Sequence, residues 1–378
     1  MSTLLKVLSK PNPEIVSKVP EGGGLSNNLG WFDVSGFEPW TEFNYDTLML
    51  CYGELLQAPL LDNFPKTSPP LTALQKEFFD EDGLRHILSR TVMAKVTVAL
   101  KRAWDYYFDG ESDPVEILPG RSATGGDAND CRLYPDWAGV RRTVTQSNSD
   151  RYRNLVPGET KTSRKWKSSE RGAANWIDPW RQIQTYSGAQ CRVRYGYIIT
   201  DVELVTCRFR SETIGTGISQ DRSRRIARPP SQPTHDRRIS GMSQISDDGS
   251  GREFGVLEMQ SIPWSAEGEG KMTIGLGLFL LHMWAGAPGV STVIGTDYSP
   301  LHGFVETEAG KFKHVTTGRL FKNLPKGANP LEPGGNIPSS AAGVVSTEAA
   351  QEAPPKPTQD IIYVEDIETA VWIDCGRE

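Results

Sequence analysis

The 378-residue chain reads as a mixed α/β protein with helices packed on a central sheet, and three observations carry that reading. Apolar residues recur at helical spacing through Leu84, Leu88, Val92, Val96, Leu100, Ala103 and Tyr107, which predicts an amphipathic helix of about 24 residues. After Gly110 the texture changes to short β-branched and aromatic runs separated by turn residues, the mark of strands. The stretch Met272–Val290 carries no charge, but its Gly275, Gly277, His282, Gly286, Pro288 and Gly289 favour a buried helix over Met272–Ala285 rather than a membrane span.

Taken in order, residues 1–40 are rich in Pro, Gly and Asn and predict a mostly irregular arm. Tyr45–Leu61 holds a short helix ended by Pro59, so 1–80 reads as an arm with one helix. The central domain, 81–310, opens on the long helix. Cys131–Val140 and Leu155–Thr160 follow as strands, then a helix over Trp176–Ala189 with Asp178 as N-cap and Pro179 in its first turn. A hairpin over Arg194–Phe209 turns at Thr200 and Asp201, and Phe254–Ile262 is a further strand before the Met272–Ala285 helix. Between the last two strands, 212–251 is dense in Ser, Arg, Pro and Gly and reads as a disordered insertion. Residues 311–378 read as a low-complexity linker and acidic tail, where Asp360–Asp374 either adds an edge strand or stays a tail.

The net charge of −6 conceals two unlike regions. Residues 132–238 hold 21 Lys and Arg against 10 Asp and Glu, while the rest of the chain holds 20 against 37. A basic island between acidic flanks suits a polyanionic partner. Within it, Arg164, Lys165, Trp166 and Lys167 combine cations with an aromatic, a mix compatible with backbone contact and base stacking. The five cysteines are widely spaced and form no Cys-x-x-Cys pair, which predicts neither a disulfide framework nor a zinc site and fits a reducing compartment. With no apolar leader at the start, the expected location is intracellular, nucleus or cytoplasm, with no membrane association. A Gly-x-Ser-x-Gly elbow and a Walker-type phosphate loop are both absent from the sequence, which argues against serine-hydrolase and P-loop chemistry.

Charged residues stand where strands are predicted, and these carry the functional expectation. Asp136 lies in Tyr134-Pro-Asp-Trp-Ala138, inside the first strand. Glu159 and Lys161 lie two apart at the end of the next, so strand alternation puts both on one face. Gln182 and Tyr186 lie four apart on one side of the following helix. Two carboxylates from adjacent strands suit a hard divalent cation such as Mg²⁺, and a neighbouring lysine can hold the attacking water. That combination suits phosphodiester hydrolysis.

The ordered set Asp136 … Glu159-Thr-Lys161 … Gln182-x-x-x-Tyr186 resembles the PD-(D/E)XK nuclease superfamily, and Gln-x-x-x-Tyr points to its RecB-like branch. The contexts Pro135-Asp-Trp-Ala-Gly139, Val156-Pro-Gly-Glu-Thr-Lys161 and Arg194-Tyr-Gly-Tyr-Ile-Ile-Thr-Asp201, with Ile262-Pro-Trp264 and Leu276–Trp284, are similar to a PD-(D/E)XK-like domain found in many fungal proteins. The resemblance covers roughly Leu84–Ala285. It implies a restriction-endonuclease-like core in α-β-β-β-α-β order and a nuclease acting on DNA, with RNA second. It further implies Mg²⁺ or Mn²⁺ held by Asp136, Glu159 and the Thr160 carbonyl, water positioned by Lys161, and substrate contact or lysine ordering by Gln182 and Tyr186. The family often adds an acid or a His from the first core helix; Glu81 and His86 are the candidates here. A fold of this kind that has lost catalysis and binds nucleic acid or protein is the alternative.

Each residue also has a plainer explanation. Asp136 suits a turn or cap, Glu159 and Lys161 an edge-strand ion pair, and Gln182 and Tyr186 ordinary helix packing. Arg222–Arg228 reads equally as an import or nucleic-acid segment or as a solvated loop, and Arg237-Arg-Ile-Ser240 matches a basic-directed kinase site. His282 reads as a core histidine, and His302 and His314 as surface residues.

Overall fold

The computed structural model describes residues 2–20, 31–60, 70–108, 113–124, 134–145, 151–173, 176–213, 252–287, 292–316, 319–325 and 328–331. Their architecture is mixed α/β, a seven-stranded sheet of mixed orientation flanked by helices on both faces. The helices are α1 (Leu4–Leu8), α2 (Tyr45–Gln57), α3 (Glu81–Leu88), α4 (Ala94–Phe108), α5 (Asp178–Gln184) and α6 (Ile274–Gly286). The sheet strands are β1 (Gly36–Pro39), β2 (Glu116–Pro119), β3 (Trp137–Val140), β4 (Val156–Thr160), β5 (Tyr195–Ile199), β6 (Glu203–Thr213) and β7 (Arg252–Pro263). Their order across the sheet is β1-β7-β6-β5-β4-β3-β2, with β1 parallel to β7, β5 parallel to β4 and the other neighbours antiparallel.

The long amphipathic run folds as α3 and α4 joined by a π-helical segment, Ser89–Met93. Asp80 caps its start by accepting the Gly83 N–H at 2.7 Å. At α5 the cap is Ile177, one residue before the expected Asp178; Asp178 and Pro179 occupy the first turn, where a proline's missing N–H costs no helical bond. A second π-helical segment, Thr185–Cys191, continues α5 and ends where Arg192 turns left-handed at φ 51°. All thirteen residues of α6 are buried. Among the described residues no helix is long and apolar enough to cross a membrane.

Within the arm, the described residues 2–20 and 31–40 hold a helix and a sheet strand that their composition does not suggest. Leu4, Leu5 and Leu8 of α1 enter the main core, Val7 is buried beside them in the chain, and Thr273 donates its hydroxyl to the Leu8 carbonyl at 2.8 Å. β1 adds an edge to the sheet with Gly36 opposite Val256 and Pro39 opposite Met259. A five-residue helix is too short to display a period, and a strand containing Gly and Pro reads as a loop; only an edge position tolerates that proline. β2 also escaped prediction, being a four-residue strand ending in proline. Past residue 300 come four short strands, β8 (Gly303–Glu306), β9 (Phe312–His314), β10 (Leu320–Phe321) and β11 (Asn329–Leu331), in the order β10-β9-β8-β11, and the last three fall within the stretch read as linker, 311–378. Phe304 meets His314 at a tilt and Phe321 edge-on there; His314, expected at the surface, is 1% exposed, and His302 is half-buried. The Arg222–Arg228 and Arg237–Ser240 motifs and the Asp360–Asp374 tail lie outside the described residues.

The sheet separates two unlike layers. On one face α1, α2, α4 and α6 bury Tyr195, Tyr197 and Ile199 of β5 in a large apolar core. On the other, the alternate Ile198 joins Val205, Cys207 and Phe209 beneath Trp166, Trp176 and Trp180. Glu159 lies opposite Ile198 in the β4–β5 ladder.

Candidate functional site

Asp136 stands one residue before β3, not within it. Its backbone is pinned from below: Gly120 donates its N–H to the Asp136 carbonyl at 2.9 Å, and a Cβ at Gly120 would fall 1.7 Å from the Pro135 carbonyl oxygen. The Asp136 Oδ2 accepts the Thr160 N–H at 2.9 Å, and Oδ1 accepts from the Arg85 guanidinium at 2.6 Å. Trp137 locks the same strand pair by donating its indole N–H to the Thr160 hydroxyl at 2.8 Å. Burial raises the Asp136 carboxyl above its usual range, against the opposing pull of Arg85 and the Thr160 N–H.

On β4, Gly158 meets the ring of Tyr197 so closely that a Cβ would fall 2.1 Å from it, which keeps β4 flush on β5. Glu159 and Lys161 emerge on the opposite face, 4% and 5% exposed. Lys161 lies just past the end of β4, and its N–H to the Ile199 carbonyl at 3.0 Å carries the ladder one residue further. Glu159 Oε1 accepts two donors, Lys161 Nζ at 2.6 Å and Gln182 Nε2 at 2.7 Å. Its other oxygen, Oε2, is buried with no hydrogen-bond partner among the described residues. Burial pushes the Glu159 carboxyl up to about 7, with Lys161 opposing. For Lys161 burial works against the charge, but Glu159 and Glu81 outweigh it and the ammonium is held above its usual range. Lys161 is therefore a cation and a donor here.

Gln182 also donates to the Tyr186 hydroxyl at 3.0 Å, so α5 and its π-helical extension grip Glu159 through an amide. Gln182 thus shares Glu159 Oε1 with Lys161 and meets the lysine through that oxygen. Tyr186 is buried, and its hydroxyl is raised by that burial and then by the Glu159 charge.

The first turns of α3 close the rim. Glu81 accepts from Lys165 Nζ at 3.3 Å, and its charge acts on Asp136, Glu159 and Lys161. His86 is exposed, and among the described residues no hydrogen bond or ion pair joins it to the carboxylates. Arg85 was missed as a site residue, although it lies one helical turn from Glu81 and so shares its face. Gly120 gave no signal in the sequence. Among the described residues, no group of three or more His, Cys, Asp and Glu side chains is arranged to hold a metal ion. The oxygen donors present are Asp136, Glu159 and the Thr160 backbone, with Glu81 beside them.

The loop that leaves Lys161 is strapped to the sheet. Asp201 accepts the Ser163 N–H and hydroxyl, each at 2.6 Å, and Glu203 accepts the Ser168 N–H at 2.7 Å and hydroxyl at 2.6 Å. Trp166, whose place among cations is compatible with base stacking, is 2% exposed and donates its indole N–H to the Trp176 carbonyl at 3.0 Å. The need to cover the sheet overrides its place between cations. Other cations of the basic island are committed internally: Arg208 to Glu258, Arg181 to Asp33 and Arg210 to Glu38.

Comparison of the chain with protein-family models, curated proteins and solved structures returns no match in any of the three.

Proposed function

We propose that the chain is a nuclease of the PD-(D/E)XK type that hydrolyses phosphodiester bonds of DNA with Mg²⁺ or Mn²⁺. The observation that carries this reading is Glu159: a buried carboxylate with one oxygen gripped by Lys161 and Gln182 and the other without a partner among the described residues, near Asp136 at the start of the adjoining strand. The element order supports the finer fold assignment. The α3–α4 rod, β2, β3, β4, α5 and β5 follow one another in the α-β-β-β-α-β order that the resemblance implies.

The donor set fits a hard divalent cation. Oxygen ligands alone, two of them carboxylates and one of these with an unpartnered oxygen, match the preference of Mg²⁺, which binds through one or two carboxylates and keeps its waters. Asp136, Glu159 and the Thr160 carbonyl would hold it. Once bound, such an ion offsets charge that builds on the phosphate oxygens. Lys161, protonated beside Glu159, would orient the attacking water and add a second positive charge at the same oxygens. Gln182 and Tyr186 hold Glu159 in place, and Glu81 adds negative charge at the rim.

A second reading is a non-catalytic member of this fold that binds nucleic acid or protein. It is favoured by Arg85, whose guanidinium occupies Asp136. Cleavage assays on single- and double-stranded DNA and RNA, across Mg²⁺ and Mn²⁺, separate the two. Asp136→Ala and Glu159→Ala should each lower cleavage about 100-fold or more, and Lys161→Ala should lose most turnover while still binding metal. Cleavage that proceeds equally without both carboxylates would overturn the nuclease reading, and polyanion binding without turnover in the unmodified protein would select the second.

A further inference from the structure

We infer that Arg85 is a displaceable counter-ion which competes with the divalent cation for Asp136, so that the metal-free chain holds its site closed with its own guanidinium. The inference rests on the proposed metal site and adds a regulatory contact to it. Both Asp136 oxygens are engaged, Oδ1 by Arg85 at 2.6 Å and Oδ2 by the Thr160 N–H at 2.9 Å. The backbone donor belongs to the sheet and stays. The guanidinium is on the rim, with its side chain 37% exposed, and its second nitrogen already holds Asp82, whose side chain is 77% exposed. Arg85 can therefore leave Asp136 for an existing partner without repacking the core. Lys161 cannot, since its side chain is 6% exposed and ringed by Glu159 and the strand.

A dication at Asp136 and a guanidinium 2.6 Å from the same carboxylate repel each other, so each lowers the affinity of the other. A phosphodiester changes the balance. Its two non-bridging oxygens offer the released guanidinium an anionic pair that matches its fork, in place of the oxygen that Asp136 offered. Cation and phosphate binding are then coupled favourably through Arg85, and linkage makes that coupling reciprocal.

The test is calorimetric titration of Mn²⁺ into the full chain, with and without an oligonucleotide carrying a non-cleavable phosphorothioate linkage. Arg85→Gln should tighten Mn²⁺ binding about tenfold, as expected for loss of one charge-assisted pair. Arg85→Lys, which keeps the charge, should stay near the unmodified affinity, and Asp136→Asn should lose the binding. The oligonucleotide should tighten Mn²⁺ in the unmodified chain and change it little in Arg85→Gln. Circular dichroism checks that each variant is folded. Equal or weaker Mn²⁺ binding in Arg85→Gln overturns the Arg85 inference and leaves the nuclease reading standing. Absence of any Asp136-dependent Mn²⁺ binding overturns both.

Discussion

Two ion pairs are buried in the same sheet, and they are built to opposite ends. Arg208 on β6 faces Glu258 on β7 directly across the ladder, and both carboxylate oxygens are taken, by Nε and by Nη2. Trp40 and Tyr298 cover the guanidinium at 4.9 and 5.0 Å, and Glu42 lies 3.6 Å away. At the end of β4, Lys161 and Glu159 are equally buried, yet two donors crowd one carboxylate oxygen and leave the other bare among the described residues. The first arrangement satisfies the glutamate and serves the fold. The second leaves an oxygen of its glutamate open to a positive charge or a donor, while on the first pair it is Arg208 Nη1 that is without a partner among the described residues. Burial does not separate the two pairs; the way the two glutamates' oxygens are satisfied does.

The comparison can be broken or sharpened by experiment. Arg208→Ala strands a buried glutamate and should cost about 3–5 kcal/mol in urea unfolding. A loss below about 1 kcal/mol would mean that Arg208 is no structural lock. Replacing the other pair together, Glu159→Leu with Lys161→Met, should leave stability unchanged or raise it by at most about 4 kcal/mol, because apolar groups of similar volume often match or exceed a buried pair. The same double variant should lose Mn²⁺ binding and cleavage. A fall in stability as deep as that of Arg208→Ala would place both pairs in the structural class.

Glu159 also predicts a pH dependence. Its carboxyl is raised from 4.5 to about 7, so the folded state holds more protons than the unfolded state between those values. The stability it contributes is fully present below pH 4.5 and is lost as pH rises toward 7. Urea midpoints of the unmodified chain should fall across that window relative to the pair-free double variant; parallel curves would contradict the assignment. The smallest effect is expected at the strapped loop. Ser168→Ala removes one of the hydroxyls on Glu203, while the Ser168 N–H and the Ser261 hydroxyl remain, and should cost about 1 kcal/mol by the same measurement.

Much of the candidate site was legible because its spacing rules are local. Period two put Glu159 and Lys161 on one face, and a four-residue step put Gln182 beside Tyr186; both pairs are in contact. The partner of Asp136 was not legible, because Arg85 is 51 residues away and reaches it only when α3 lies across the strand ends. Trp166 was misread for the same reason: a tryptophan between cations looks exposed until the sheet face it must cover is known. β1 and β2 were missed because a four-residue strand holding proline has little pattern of its own and takes its ladder from neighbours.

From the sequence alone came the mixed α/β class, the long amphipathic helix, the buried helix and the order of the charged motifs, since each depends on a period of two or 3.6 residues along the chain. Only the tertiary structure decided which oxygen of Glu159 is left bare, that Arg85 holds Asp136, and that Gly120 pins the backbone beneath it. Those are properties of atoms brought together from strands and helices far apart in sequence, and contact at that range is set by packing rather than by spacing.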